Sequence, residues 1–165
     1  MKHLLFTAVL LWASTARAQN TENIPPYRKF PQYPPGKILL PDSSTWFTKE
    51  DLPNKTPVLL MLYNSGCHHC QEETREIITH IKAFEDTRIV MVTSQHFDSM
   101  QVHRYRFGLD RFPNITLGYD PGYFLMTFFE VRQFPFVALY DRKKQLITAS
   151  GGGLPVQKMT AELLK

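Results

Sequence analysis

Cysteine is scarce in this chain, with two residues in 165. A fold held together by disulfides is therefore excluded, and chemistry is left as the use for the two thiols. An excess charge of one sign is also missing. Nineteen Lys and Arg against 15 Asp and Glu leave +4, and without Lys2 and Arg17 the balance is 17 against 15, or +2. So mild a surplus gives no argument for nucleic acid as a partner. Beyond the N-terminus no apolar run is long enough to cross a bilayer. Internal repeats and low-complexity tracts are lacking. The composition, 43% hydrophobic, 13% aromatic and 21% charged, is that of a globular chain rather than a disordered or collagen-like one. The length suits one domain that buries its own core.

The N-terminus reads as an export signal. Lys2 and His3 precede the apolar run Leu4 to Trp12, and small residues end in Ala16-Arg17-Ala18. A charged start, a short apolar stretch and an A-x-A site describe a signal peptide over residues 1–18, cut after Ala18. No cysteine stands near the cut to carry a lipid anchor. After cleavage the chain is expected to be exported, not membrane-spanning, and placed where disulfides persist.

Residues 19–41 form a proline-rich extension holding half of the 12 prolines (Pro25, Pro26, Pro31, Pro34, Pro35 and Pro41). Such a segment favours extended backbone and is not expected as a central strand. It is a spacer or, through Tyr27, Phe30 and Tyr33, a strap packed on the domain.

From residue 42 to 165 the pattern alternates between strand and helix. Val58 to Tyr63, Arg88 to Thr93 and Phe136 to Tyr140 are continuous apolar runs that suit strands buried on both faces. Shorter strands are expected at Thr45–Thr48 and Ile115–Gly118, with Gln145–Ala149 pairing back after the turn at Asp141–Lys144. Helices are expected over Cys67–Phe84, from a cap at Asp98 to Phe107, over Gly122–Phe129, and over Val156–Leu164 after a hinge at Gly151–Gly153. The alternation argues an α/β domain with a central mixed sheet.

The chemistry concentrates in Gly66-Cys67-His68-His69-Cys70, between an apolar strand and a helix. Two intervening residues let both sulfurs meet within one turn. A helix start presents unpaired N–H groups and partial positive charge, which favour a thiolate at Cys67. His68 and His69 can donate hydrogen bonds or add charge nearby. Lowering the thiolate's energy stabilises the dithiol and makes the disulfide more oxidising. Two other readings compete. A structural disulfide across so short a loop removes little entropy from the unfolded chain. For a zinc site, the four consecutive residues cannot all point at one ion, and no second cysteine pair exists. No metal and no cofactor is expected. Redox use of Cys67 and Cys70 is favoured.

With these residues in place, the chain resembles the thioredoxin-fold thiol-disulfide oxidoreductases, most closely their exported TlpA/ResA-like branch, over roughly Ser44 to Lys165. Tyr63-Asn64-Ser65-Gly66-Cys67-His68-His69-Cys70 is similar to that family's active-site approach. Phe134-Pro135-Phe136-Val137 looks like its strand that opens with a cis-proline, and the stretch between Ser94 and Phe129 looks like its inserted helix and strand. The resemblance implies a thioredoxin-like fold, Cys67 as attacking thiol, Cys70 as resolving thiol, and Phe134 and Pro135 as a groove for an extended substrate strand. It also implies protein substrates with disulfides or thiols, a membrane-bound or exported thiol electron donor, and an extracytoplasmic setting such as the bacterial periplasm. Met61 stands where thioredoxins bury an acid, so Glu73 becomes the candidate for proton transfer with Cys70. A solvated first-turn glutamate is the alternative for Glu73. Reduction of substrate disulfides is the leading expectation. Oxidation or isomerisation follows it, on the His-His pair. A binding module with incidental cysteines is the alternative from another class. Peroxide reduction is disfavoured, since the threonine-and-proline approach of peroxiredoxins is lacking.

Overall fold

A computed structural model describes residues 24–164; the expected signal peptide 1–18 and residues 19–23 of the proline-rich extension lie outside the described residues. The extension is not uniformly extended. Pro26 opens one helical turn, α1 (Pro26–Lys29), at a position where its missing N–H loses no hydrogen bond. The chain then runs across the domain as a strap. Tyr33 donates its N–H to Lys144 O at 2.9 Å, and Leu146 donates to Pro31 O at 2.7 Å. Tyr33 is buried against Tyr140 with ring centroids 5.1 Å apart.

The strap leads into β1 (Ile38–Leu39), which lies inside the sheet between β2 (Trp46–Phe47) and β5 (Ile115–Tyr119). This corrects the exclusion of residues 19–41 from interior strand positions. The proline-free pair Ile38–Leu39 lies against Phe47 and Trp46 on one side and, through Leu39, against Tyr119 on the other, while the prolines stay outside the ladder.

The remaining strands are β3 (Val58–Leu62), β4 (Arg88–Thr93), β6 (Phe136–Tyr140) and β7 (Leu146–Gly151). The seven-stranded order is β2-β1-β5-β4-β3-β6-β7. β3, β4 and β5 are parallel; β6 is antiparallel to both β3 and β7. β3 and β6 are buried at every residue, as their unbroken apolar runs require. The two-residue period of the strand divides them between two cores. Leu59, Met61 and Tyr63 face the side covered by α2 (His68–Thr79), α3 (Phe97–Phe107) and α5 (Val156–Leu163), which supply Ile77, Met100 and Met159. Val58, Leu60 and Leu62 face the side where α4 (Phe124–Phe128) contributes Leu125 and the strap contributes Tyr33.

Several element ends differ from expectation. The helix after Cys67 stops at Thr79, and Ile81–Phe84 forms a separate 3-10 turn that buries Phe84. The β-branched run Ile77-Ile78-Thr79 weakens helix propagation there. His96, not Asp98, caps α3: its Nδ1 accepts the Asp98 N–H at 3.4 Å. Gly151 ends β7, and Gly152 and Gly153 (φ 84° and 95°) form a turn fastened by Gly153 N–H donating to Pro135 O at 2.9 Å. It is an anchored turn rather than a hinge.

Candidate active site

β3 carries the chain to Tyr63, and Asn64-Ser65-Gly66 turns it into α2. Side chains pin this turn from two directions. Asn64 Oδ1 accepts the Gly66 N–H at 2.9 Å, Gln95 Oε1 accepts the Ser65 N–H at 2.9 Å, and Gln71 Nε2 donates to Ser65 O at 2.7 Å. Gln95 sits in the β4–α3 connection, so the turn before Cys67 is tied to the parallel strand next to its own.

Cys67 occupies the N-cap of α2 with extended backbone, φ −80° and ψ 120°, and its sulfur accepts the Cys70 N–H at 3.3 Å. One of the unpaired N–H groups of the helix start is thereby spent on sulfur, where it favours negative charge. The Cys67 thiol points at Phe134 O, 3.9 Å away, across the site. Cys67 is half-buried and Cys70 fully buried, and both are free thiols. Cys70 Sγ accepts the Asn64 N–H at 3.5 Å. Burial pushes the Cys70 thiol up from its ordinary value, and its contact with Cys67 adds to the rise. The arrangement sets an accessible sulfur at the helix start and holds a protonated one behind it.

The Phe134–Pro135 peptide is cis, and the Phe134 carbonyl faces Cys67 Sγ at 3.9 Å. Glu73 is half-buried between α2 and the glycine turn, with Oε1 accepting the Leu154 N–H at 3.1 Å. Burial raises its carboxyl above the usual range, against the opposing hydrogen bond from Leu154, and its charge is felt at Cys70. Glu73 is thus not a solvated first-turn glutamate.

His68 and His69 are exposed, and both rings meet Glu72. His68 Nε2 lies 2.9 Å from Glu72 Oε1, and His69 Nδ1 lies 3.3 Å from Glu72 Oε2. One carboxylate thus holds both rings on the outer face of the first turn. Among the described residues no three His, Cys, Asp or Glu side chains converge as a metal site would require.

Two buried polar residues behind Cys70, Thr74 and His103, were not singled out from the sequence. Thr74 Oγ1 donates to Cys70 O at 2.8 Å and lies 3.0 Å from His103 Nε2. His103 stacks on Tyr63 with ring centroids 4.2 Å apart and is 1% exposed. Burial, with Arg106 nearby, lowers its imidazole to about 4, so it is neutral at ordinary pH. The four-residue spacing of Cys70 and Thr74 is visible in the sequence as one helical turn. Nothing in the spacing of His103, which lies on another helix, connects it to them.

No protein-family model matches the chain, and no curated protein matches it. Solved structures do. A secreted Mycobacterium tuberculosis disulfide oxidoreductase homologous to E. coli DsbE superposes with TM-score 0.65 at 14% identity, covering 78% of this chain and 93% of its own. DsbF of the same organism gives 0.66 at 19% identity over 78% and 92%. A peroxidoxin, BcpB, also of M. tuberculosis, gives 0.68 at 14% identity over 81% and 94%. At these identities the likeness shows the fold, which is thioredoxin-like, with the central mixed sheet flanked by helices that the sequence led one to expect.

Proposed function

We propose that this protein is an exported thiol-disulfide oxidoreductase that acts on other proteins through Cys67 and Cys70. The observation that carries the reading is the asymmetry of the pair: Cys67 Sγ is accessible and accepts the Cys70 N–H at 3.3 Å, whereas Cys70 is buried and held protonated. That is the division of labour a two-step exchange needs.

In the reducing direction, the Cys67 thiolate attacks one sulfur of a substrate disulfide. A Cys67–substrate S–S bond forms and the other substrate sulfur leaves as thiolate. Cys70 loses its proton and attacks Cys67. The mixed bond breaks, the second substrate sulfur leaves, and two electrons have passed to the substrate at the cost of a Cys67–Cys70 disulfide. An exported or membrane-bound thiol donor then restores the dithiol. Phe134 and Pro135, opposite Cys67, offer the edge along which an extended substrate strand lies. Glu73 is the acceptor for the Cys70 proton: burial raises its affinity for a proton, and Met61 fills the position beneath the helix with an apolar side chain. Export is supported by the sequence of residues 1–18 and by the secreted character of a structural neighbour. Among the described residues, no helix is long and apolar enough to cross a membrane.

Reduction is preferred to oxidation because both histidines are engaged by Glu72 rather than by sulfur, which removes the support that the His-His pair gave to an oxidant. The test is a redox titration with alkylation and mass analysis, together with a trapping experiment on Cys70→Ser. A potential of about −200 mV or lower supports a reductase, and one near about −120 mV assigns the oxidase or isomerase. A covalent complex between Cys70→Ser and a disulfide-bonded protein is the expected product. Its absence, with partner binding intact in Cys67→Ser, would leave a binding module.

A further inference from the structure

The Thr74–His103 pair, which the exchange steps above do not use, touches the resolving cysteine's own backbone. Thr74 has one hydroxyl proton. It goes to Cys70 O at 2.8 Å, because a carbonyl has no proton to offer in return. The second contact, 3.0 Å between Thr74 Oγ1 and His103 Nε2, must then be donated by the imidazole. His103 is therefore the Nε2–H tautomer, and its Nδ1 is a bare acceptor. Nδ1 is buried and has no hydrogen-bond partner among the described residues, and the same holds for the hydroxyl of Tyr63, on which the ring stacks.

An unpaired buried nitrogen is a cost that a phenyl ring would avoid. The surroundings of His103 are otherwise those of an aromatic core residue: Tyr63 on one side and Phe107, 4.7 Å away between centroids, on another. What an imidazole supplies there and a phenyl cannot is the Nε2–H donor to Thr74. The directed chain runs from His103 Nε2–H to Thr74 Oγ1–H to the Cys70 carbonyl, linking α3 to the first turn of α2.

We propose that His103 and Thr74 are positioning residues for the resolving step, with the chain from the imidazole through the threonine hydroxyl holding Cys70 at the depth and orientation from which its sulfur reaches Cys67. The proposal rests on the thiol-exchange reading. It deepens that reading by assigning the second step, and not the first, to a support on α3. Cys67 makes none of these contacts: its sulfur is held by the Cys70 N–H and faces Phe134 O.

The experiment follows a mixed disulfide preformed between Cys67 and a thionitrobenzoate group, and times the release of thionitrobenzoate as Cys70 closes onto Cys67. Thr74→Val keeps the shape and removes the hydroxyl. His103→Phe keeps the ring and removes the donor. Each is expected to slow release about tenfold, the scale for one well-placed hydrogen bond in a group that must be aligned to react. Alkylation of Cys67 in the free dithiol is expected to stay within about twofold of wild type, since no contact of that sulfur is lost. Thr74→Ser and His103→Gln, which restore a hydroxyl and an N–H donor, are expected to recover release. Wild-type release in Thr74→Val and His103→Phe, or equal slowing in the serine and glutamine variants, overturns the positioning role and leaves only packing. If the wild-type protein itself releases no thionitrobenzoate, the thiol-exchange reading fails and the proposal falls with it. That outcome is told apart from the others by the wild-type trace alone.

Discussion

Replacing Gly153 by alanine asks whether the turn after β7 and the thiol helix are one mechanical unit. Two costs are expected. The backbone sits at φ 95°, where an L side chain is strained by about 1–2 kcal/mol. An added Cβ would also stand 2.9 Å from Glu73 Oε2 and 3.4 Å from Pro135 Cγ, an overlap of the kind that costs about 1–3 kcal/mol in a packed site. Gly152 is the internal control. Its φ of 84° carries a similar backbone cost, but the nearest atom to an added Cβ is Gln133 Oε1 at 3.6 Å, an ordinary contact. Gly152→Ala is therefore expected to lose about 1–2 kcal/mol and Gly153→Ala about 2–5 kcal/mol. In thermal unfolding that is about 2–8 °C against about 4–20 °C for a chain of this size. Glu73→Ala removes the carboxylate from the overlap, so the double variant with Gly153→Ala should recover about 1 kcal/mol relative to the sum of the singles. Because Gly153 donates to Pro135 O, Gly153→Ala should also slow thiol exchange, while Gly152→Ala leaves it near wild type. Equal stabilities for the two alanine variants, or strict additivity in the double, would refute the claim that Glu73 and the turn are packed together.

Three further outcomes follow from the site and its supports. Iodoacetamide should modify half-buried Cys67 well before fully buried Cys70, read by mass after partial reaction; equal rates would contradict the asymmetry of the pair. Burial raises the Glu73 carboxyl, so the folded chain holds that proton more tightly than the unfolded one. The stabilisation is fully present below the unfolded value of about 4.3 and is lost as pH rises through the higher folded value, so wild type should lose stability relative to Glu73→Gln over that interval. Parallel urea-stability profiles for the two would show that no such shift exists. Asp120 is buried and accepts the Leu125 N–H at 2.9 Å, the Phe124 N–H at 3.2 Å and the Ser94 hydroxyl at 3.3 Å. Asp120→Ala should cost about 2–3 kcal/mol in urea denaturation, with Asp120→Asn milder because one acceptor remains; an unchanged midpoint would mean α4 does not depend on this cap.

The elements that rest on period and run length were legible in the chain alone. β3, β4 and β6 are unbroken apolar runs, and only a strand covered on both faces buries such a run without exposing one side. The thiol pair was legible for a similar reason: Cys67 and Cys70 are neighbours in the chain, so local helix geometry alone sets the Cys67 sulfur against the Cys70 N–H. Whatever depends on residues far apart in sequence becomes visible only in the folded chain. Gln95 reaching Ser65, Glu73 meeting Leu154, and Phe134 standing opposite Cys67 span 30, 81 and 67 positions, and no local pattern encodes those meetings. The direction in which His68 and His69 turn was equally hidden, because a side chain at a helix start chooses between sulfur and carboxylate by rotamer, and Glu72 took both. The strap shows the same limit from the other side. Proline content spoke against Ile38–Leu39 as an interior strand, yet two proline-free residues suffice once Trp46–Phe47 and Tyr119 supply their partners. His103 carried no signal in the sequence; the packing of α3 on α2 sets it 3.0 Å from Thr74, since burial and pairing are properties of the assembled core and not of the chain that enters it.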